Sequence, residues 1–115
     1  MKRVSRAVAK RSGGKRPRAA GRVPVAPGWT FLTNHAHVVI CLAQDAGLRL
    51  RDLAARVGIT ERAVQKILGE LQAGGVITRV RDGRRNRYTV RPGVPLRHPL
   101  EAHRAVGDLL KLARP

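Results

Sequence analysis

The chain has 115 residues, enough for one domain and a tail, and its Lys and Arg outnumber its Asp and Glu by 24 to 7, a formal charge of +17. So large an excess points to a polyanionic partner, nucleic acid before an anionic membrane surface. No apolar run is long enough to span a bilayer. The single cysteine excludes a disulfide within the chain.

Residues 1–27 read as a basic, disordered tail. Pro17, Pro24 and Pro27, with Gly13, Gly14 and Gly21, interrupt any regular element, and the apolar content is small and scattered. Lys2, Arg3, Arg6, Lys10, Arg11, Lys15, Arg16, Arg18 and Arg22 are nine cations with no acid among them. The rest of the chain holds 15 basic and 7 acidic groups, a net +8, so the folded part is basic as well. Such an arm is expected to bind DNA through counterion release, carrying little sequence information. The N-terminus lacks the apolar core of an export signal, so the expected location is the cytoplasm, at the nucleoid. Ser12-Gly13-Gly14-Lys15 lacks the first glycine and the strand of a phosphate loop, so no nucleotide is assigned to it.

A domain is expected over 28–115. Trp29, Phe31 and Leu32 should seal its edge. Thr33 or Asn34 caps a helix to about Gln44, whose centre, Val38-Val39-Ile40-Cys41-Leu42, is apolar on all sides. That helix should lie under the others, with Cys41 as a buried core thiol. Asp45-Ala46-Gly47 ends it, and Leu48-Arg49-Leu50 alternates like a short strand.

The next stretch, LRDLAARVGITERAVQKILGEL over 50–71, reads as two short helices joined by a tight turn. Leu50, Leu53, Ala54 and Val57 form the buried stripe of the first, and Gly58 ends it where φ > 0 is needed. Thr60 is the N-cap of the second, and Ile59 and Val64 are spaced as a hydrophobic staple. Val64, Ile67, Leu68 and Leu71 follow at the spacing of a buried face. Opposite them, Arg62, Gln65, Lys66 and Gly69 share an arc of roughly 100°. A guanidinium, an amide and an ammonium on one face are the groups that meet base edges and phosphates in a major groove. A plain two-helix corner would show the same apolar spacing, so the arc matters only beside the rest of the chain.

Gln72-Ala73-Gly74-Gly75 stops the helix. VITRVRDGRRNRYTV, over 76–90, then brackets Asp82-Gly83 with β-branched residues and a tyrosine, the signal of a hairpin. A two-residue and a four-residue loop both fit. Either way the hairpin carries Arg79, Arg81, Arg84, Arg85 and Arg87. Pro92 and Pro95 break the chain, and a final helix is expected from about Pro99, with Ala102, Val106, Leu109, Leu110 and Ala113 on one face.

Helix, short strand, helix-turn-helix and arginine-rich hairpin come in the order of a winged helix. The segment from Trp29 to about Leu110 resembles the small bacterial winged helix-turn-helix regulators of the MarR-type and ArsR-type families. The resemblance implies a mainly α fold with a small β-wing and a transcription regulator of double-stranded DNA. Its recognition helix, 60–73, would lie in the major groove, with Thr60, Arg62, Gln65 and Lys66 at bases or phosphates. Its wing, 76–90, would place Arg79, Arg81, Arg84, Arg85 and Arg87 on the backbone or in the minor groove.

The chain departs from both families. MarR-type proteins have longer helices around a dimer interface and an effector pocket, and here one short helix stands on each side, so no effector is assigned. Metal-sensing ArsR-type proteins carry paired cysteines, and Cys41 stands alone. His35 and His37 are two apart and cannot share a helical face, and His98 and His103 have poor spacing for one site, so neither a metal nor a cofactor is expected. No nucleophile, base and orienting acid stand out, so the chain is not read as an enzyme. The amphipathic terminal helix suggests a homodimer. The competing reading is an architectural, nucleoid-associated protein that coats DNA without choosing sequence; the tail favours it and Gln65 opposes it.

Overall fold

The computed structural model describes residues 28–114. The basic arm, with its nine expected DNA-binding cations, lies outside the described residues. Four helices and one hairpin follow one another: α1 Asn34–Gln44, α2 Leu50–Val57, α3 Glu61–Ala73, β1 Ile77–Asp82, β2 Arg85–Val90 and α4 Val106–Leu112.

Helix α1 buries Val38, Val39 and Leu42, while Ile40 and Cys41 are only half-buried. It packs against α2, α3, β2 and α4, so the apolar helix does lie under the others. Cys41 sits at the margin of the core rather than inside it. Burial still pushes its thiol pKa up, against the opposing pull of the Arg56 charge.

No strand forms at Leu48-Arg49-Leu50: Leu50 is already the first residue of α2. Leu48 is buried and Arg49 exposed, so the alternation is present without a ladder. The strand-like partner contact has moved two residues back, where the Tyr88 N–H donates to the Ala46 carbonyl at 3.4 Å. An Asx turn, in which the Asp45 carboxylate accepts from the Gly47 N–H at 3.0 Å, folds the backbone away from a strand path.

Helix α2 has Asp52 in its first turn and Arg56 in its last, both favourable to the helix dipole. Gly58 at φ 85° ends it, and its N–H reaches the Ala54 carbonyl at 2.8 Å. Two residues later the Thr60 hydroxyl accepts from the Ala63 N–H at 3.1 Å and starts α3. A left-handed glycine and a hydroxyl cap separated by one residue turn the chain sharply enough for α2 and α3 to pack on each other. Val64, Ile67, Leu68 and Leu71 of α3 enter the core with Leu53 and Ala54 of α2.

Gly75, at φ 76°, closes α3 by donating to the Gln72 carbonyl, while Val76 donates to Leu71. The hairpin that follows pairs Asp82 with Arg85, so its loop is the two residues Gly83-Arg84. Gly83 at φ 64° supplies the positive φ that the first position of such a turn requires. Ile77 is buried at the root and Val90 pairs with it, anchoring the wing to the core.

The C-terminal segment differs from its reading. The helix does not start at Pro99 but at Val106, seven residues on, and Ala102 lies outside it and exposed. An isolated bridge between Pro95 and Ala105 decides this. Across it Leu96 N–H donates to Arg104 at 2.8 Å and Val106 N–H to Val94 at 2.9 Å. A helix begun at Pro99 would forfeit both bonds, so the intervening residues loop out instead. Ala105 offers no side-chain cap, but the Asp108 carboxylate accepts from its N–H at 3.0 Å. That bond draws the Asp108 pKa down. Gly107 lets α4 start hard against Pro92, where an added Cβ would lie 3.2 Å from the proline side chain.

Trp29 and Phe31 stack edge to face, with centroids 4.8 Å apart, but they are 74% and 91% exposed. They do not bury themselves as edge-sealing residues should; the aromatic pair satisfies itself instead.

Candidate nucleic-acid interface

The four apolar residues of α3 face the core, and the rest of that helix is what solvent meets. Arg62, Gln65, Lys66 and Gly69 are all exposed. Thr60 is exposed too, with its hydroxyl occupied as the cap. Because the core fixes the rotation of α3, these side chains project from a rigid support.

Glu70, beside Gly69, is held by an unforeseen partner. Its Oε1 lies 2.7 Å from His35 Nε2 at the start of α1. That hydrogen bond is the main cause of the lowered Glu70 pKa, with Lys66 adding a smaller pull. The one acidic side chain in the middle of the exposed α3 surface is thus turned toward α1. His37 goes elsewhere, its Nδ1 lying 3.3 Å from Asn34 Oδ1, and burial lowers its pKa. Among the described residues no three His, Cys, Asp or Glu side chains gather as a metal site would require.

The hairpin sorts its arginines. Paired residues share a face, so Arg79, opposite Tyr88, and Arg81, opposite Asn86, stand on the side of buried Ile77. Arg85 and Arg87 start from the other side. Arg85 is spent on the fold, donating from Nη2 to the Gly47 carbonyl. Arg87 lies over the same glycine and 4.0 Å from the Asp82 carboxylate. Arg81 bonds the Gly83 carbonyl at 3.1 Å and stiffens the tip. Arg84, in the loop, is exposed and makes no bond to a described residue.

An open groove of about 610 Å³ runs between α3 and the hairpin. Gln65, Gly69 and Gln72 rim it on the helix side, and Arg79, Asn86 and Tyr88 on the wing side. Arg49 lines it as well. Sequence reasoning missed Arg49, Gln72, Asn86 and Tyr88. The signal for Tyr88 and Asn86 was the hairpin register, which the loop sequence left open.

A buried helix, a helix-turn-helix and a two-stranded wing in this order form a winged helix-turn-helix. No curated protein matches the chain. Residues 34–78, from the start of α1 into the first strand of the wing, match the family model described as winged helix-turn-helix DNA-binding, and DNA binding is the function this match gives the domain.

Proposed function

We propose that the protein is a sequence-specific regulator of transcription, a small relative of the MarR-type and ArsR-type regulators acting as a homodimer on double-stranded DNA at the nucleoid. The observation that carries this reading is the exposed face of α3. Its guanidinium, amide and ammonium stand on a helix whose opposite face is locked in the core. Arg62, in the first turn, suits guanine O6 and N7, and Gln65 suits adenine N6 and N7. Lys66 is a flexible point charge suited to phosphate. The wing follows the groove edge with Arg79, Arg81 and Arg84, while Arg85 and Arg87 act first as struts. The arm 1–27 adds sequence-independent affinity.

Exposed Leu112, with half-buried Leu109 and Leu110, leaves α4 an apolar edge for a second copy. A two-fold pair would present two recognition helices to a palindromic site. Sedimentation at rising concentration tests the pair; a monomer throughout removes it.

Footprinting of the full chain on genomic DNA at physiological salt tests the function. Discrete protected sites support a regulator. Even protection along the DNA supports a coating protein, the reading that the formal charge of +17 favours.

A further inference from the structure

Helix α3 carries two acids. Glu61 sits in its first turn, where the helix dipole favours a negative charge. Glu70 has no such reason for its place, and it stands beside the exposed arc of Arg62, Gln65, Lys66 and Gly69. Two partners compete for its carboxylate. Lys66 lies four residues earlier on the same helix, the spacing at which opposite charges meet on a helix surface. His35, the second residue of α1, comes from 35 residues away, and its Nε2 lies 2.7 Å from Glu70 Oε1. The structure gives the carboxylate to His35. Among the described residues the ion pairs are His35 with Glu70 and Arg87 with Asp82, which leaves the Lys66 ammonium unpaired. The hydrogen bond from His35 is the main cause of the lowered Glu70 pKa, and the Lys66 charge acts on it more weakly.

Stability does not explain this link. The two side chains are 47% and 50% exposed, and a contact so open to water contributes little to folding. Its consequence is where the charge goes. A carboxylate free to swing back along α3 would pair with Lys66 and stand nearer an incoming phosphate, and both effects oppose a polyanion. We propose that His35 is a positioning residue for DNA binding. By holding Glu70 toward α1, it keeps the acid off the exposed arc and leaves the Lys66 ammonium for phosphate. This role rests on the DNA-binding reading and adds to it a residue outside both the helix-turn-helix and the wing. His35 acts through Glu70 and touches no phosphate itself.

The test uses the full chain and a fluorescein-labelled 30-base-pair duplex of random sequence, followed by anisotropy at neutral pH from low to physiological salt. His35→Ala should weaken binding about twofold at low salt, the scale of one charge pair on a helix surface, and the deficit should shrink as salt screens the charges. Adding Glu70→Gln to His35→Ala should restore the wild-type affinity or exceed it, because no carboxylate remains to capture Lys66. In a Lys66→Ala background, His35→Ala should cost less. Circular dichroism melts verify folding, and the Tm of His35→Ala should stay close to that of the wild type. A loss that ignores salt and that Glu70→Gln fails to rescue would make the link a mere staple between α1 and α3, and the proposal falls. It falls equally if the wild type binds with a steep salt dependence and His35→Ala matches it throughout, while DNA binding stands. If the wild type shows no salt-dependent binding, both fall together.

Discussion

Helix α3 and the hairpin carry similar polar cargo on unlike supports. On α3 the cations are free because a separate apolar face, Val64, Ile67, Leu68 and Leu71, does all the anchoring. The hairpin has only Ile77 buried along its first strand, so it recruits its own arginines for support. Arg81 reaches the Gly83 carbonyl, Arg85 the Gly47 carbonyl and Arg87 the Asp82 carboxylate. A count of charges therefore overstates what the wing can offer DNA. A two-stranded ribbon is marginal by itself, and arginine side chains substitute for the packing it lacks. The helix is built to hold geometry and the wing to supply charge.

The largest effect comes from removing the support of α3. Leu68→Ala empties a buried site that faces both α2 and the groove, and should cost about 2–5 kcal/mol of stability by thermal unfolding. Binding should fall on every DNA sequence alike. Loss of sequence preference in a protein that still melts like the wild type would show that anchoring and reading are not coupled this way.

Next in size is the reading itself. Arg62→Ala or Gln65→Ala should cost roughly 1–3 kcal/mol on a preferred site and relax base choice at one position. Lys66→Ala and Arg84→Ala should weaken preferred and scrambled duplexes equally. A titration of the four variants on both duplexes separates helix from wing. Equal losses on both duplexes for Arg62→Ala and Gln65→Ala would put α3 in the same class as the wing and favour the coating reading.

Thr60→Ala removes the hydroxyl that caps α3 and should cost about 1 kcal/mol in a denaturant titration. Sequence preference should survive if the hydroxyl, which accepts from the Ala63 N–H, serves only as the cap. A changed preference would make Thr60 a contact in its own right.

The smallest effect is a pH dependence seated in α1. Burial disfavours the His37 cation, so its folded pKa lies below the ordinary 6.5. The unfolded chain takes up a proton near that value which the folded chain resists. Stability is therefore full above 6.5 and declines as pH falls through it. His37→Gln should flatten the loss of Tm between pH 7 and 5. A second decline belongs to Glu70 and Asp108, whose lowered pKa values stabilise the fold above 4.5 and 3.8, and whose contribution is lost as pH falls further.

Local signals were legible where a residue acts on its immediate neighbours. Thr60 caps because its hydroxyl reaches three residues along its own chain, and Gly58 turns because it has no Cβ. The buried and exposed faces of α3 follow from a period of 3.6, and the sequence alone determines both. The hairpin was legible as a hairpin, but its loop of two residues was not, since Asp82-Gly83 is compatible with either length. From that register follows the face of Arg79 and Tyr88, and hence the wing side of the groove.

Long-range pairings were decided only by the tertiary structure. The apolar spacing from Ala102 to Ala113 is as regular as that of α3, yet the bridge between Pro95 and Ala105 shortens the helix to Val106–Leu112. Backbone groups eight and twelve residues apart satisfied each other, and no local pattern records that choice. The link from His35 to Glu70 spans 35 residues, and that from Arg85 to Gly47 spans 38. Periodicity assigns a residue to a face, but it does not say which distant face lies opposite. That requires the packing of α1 under the helix-turn-helix, which fixes the partners of the wing and the rim of the groove.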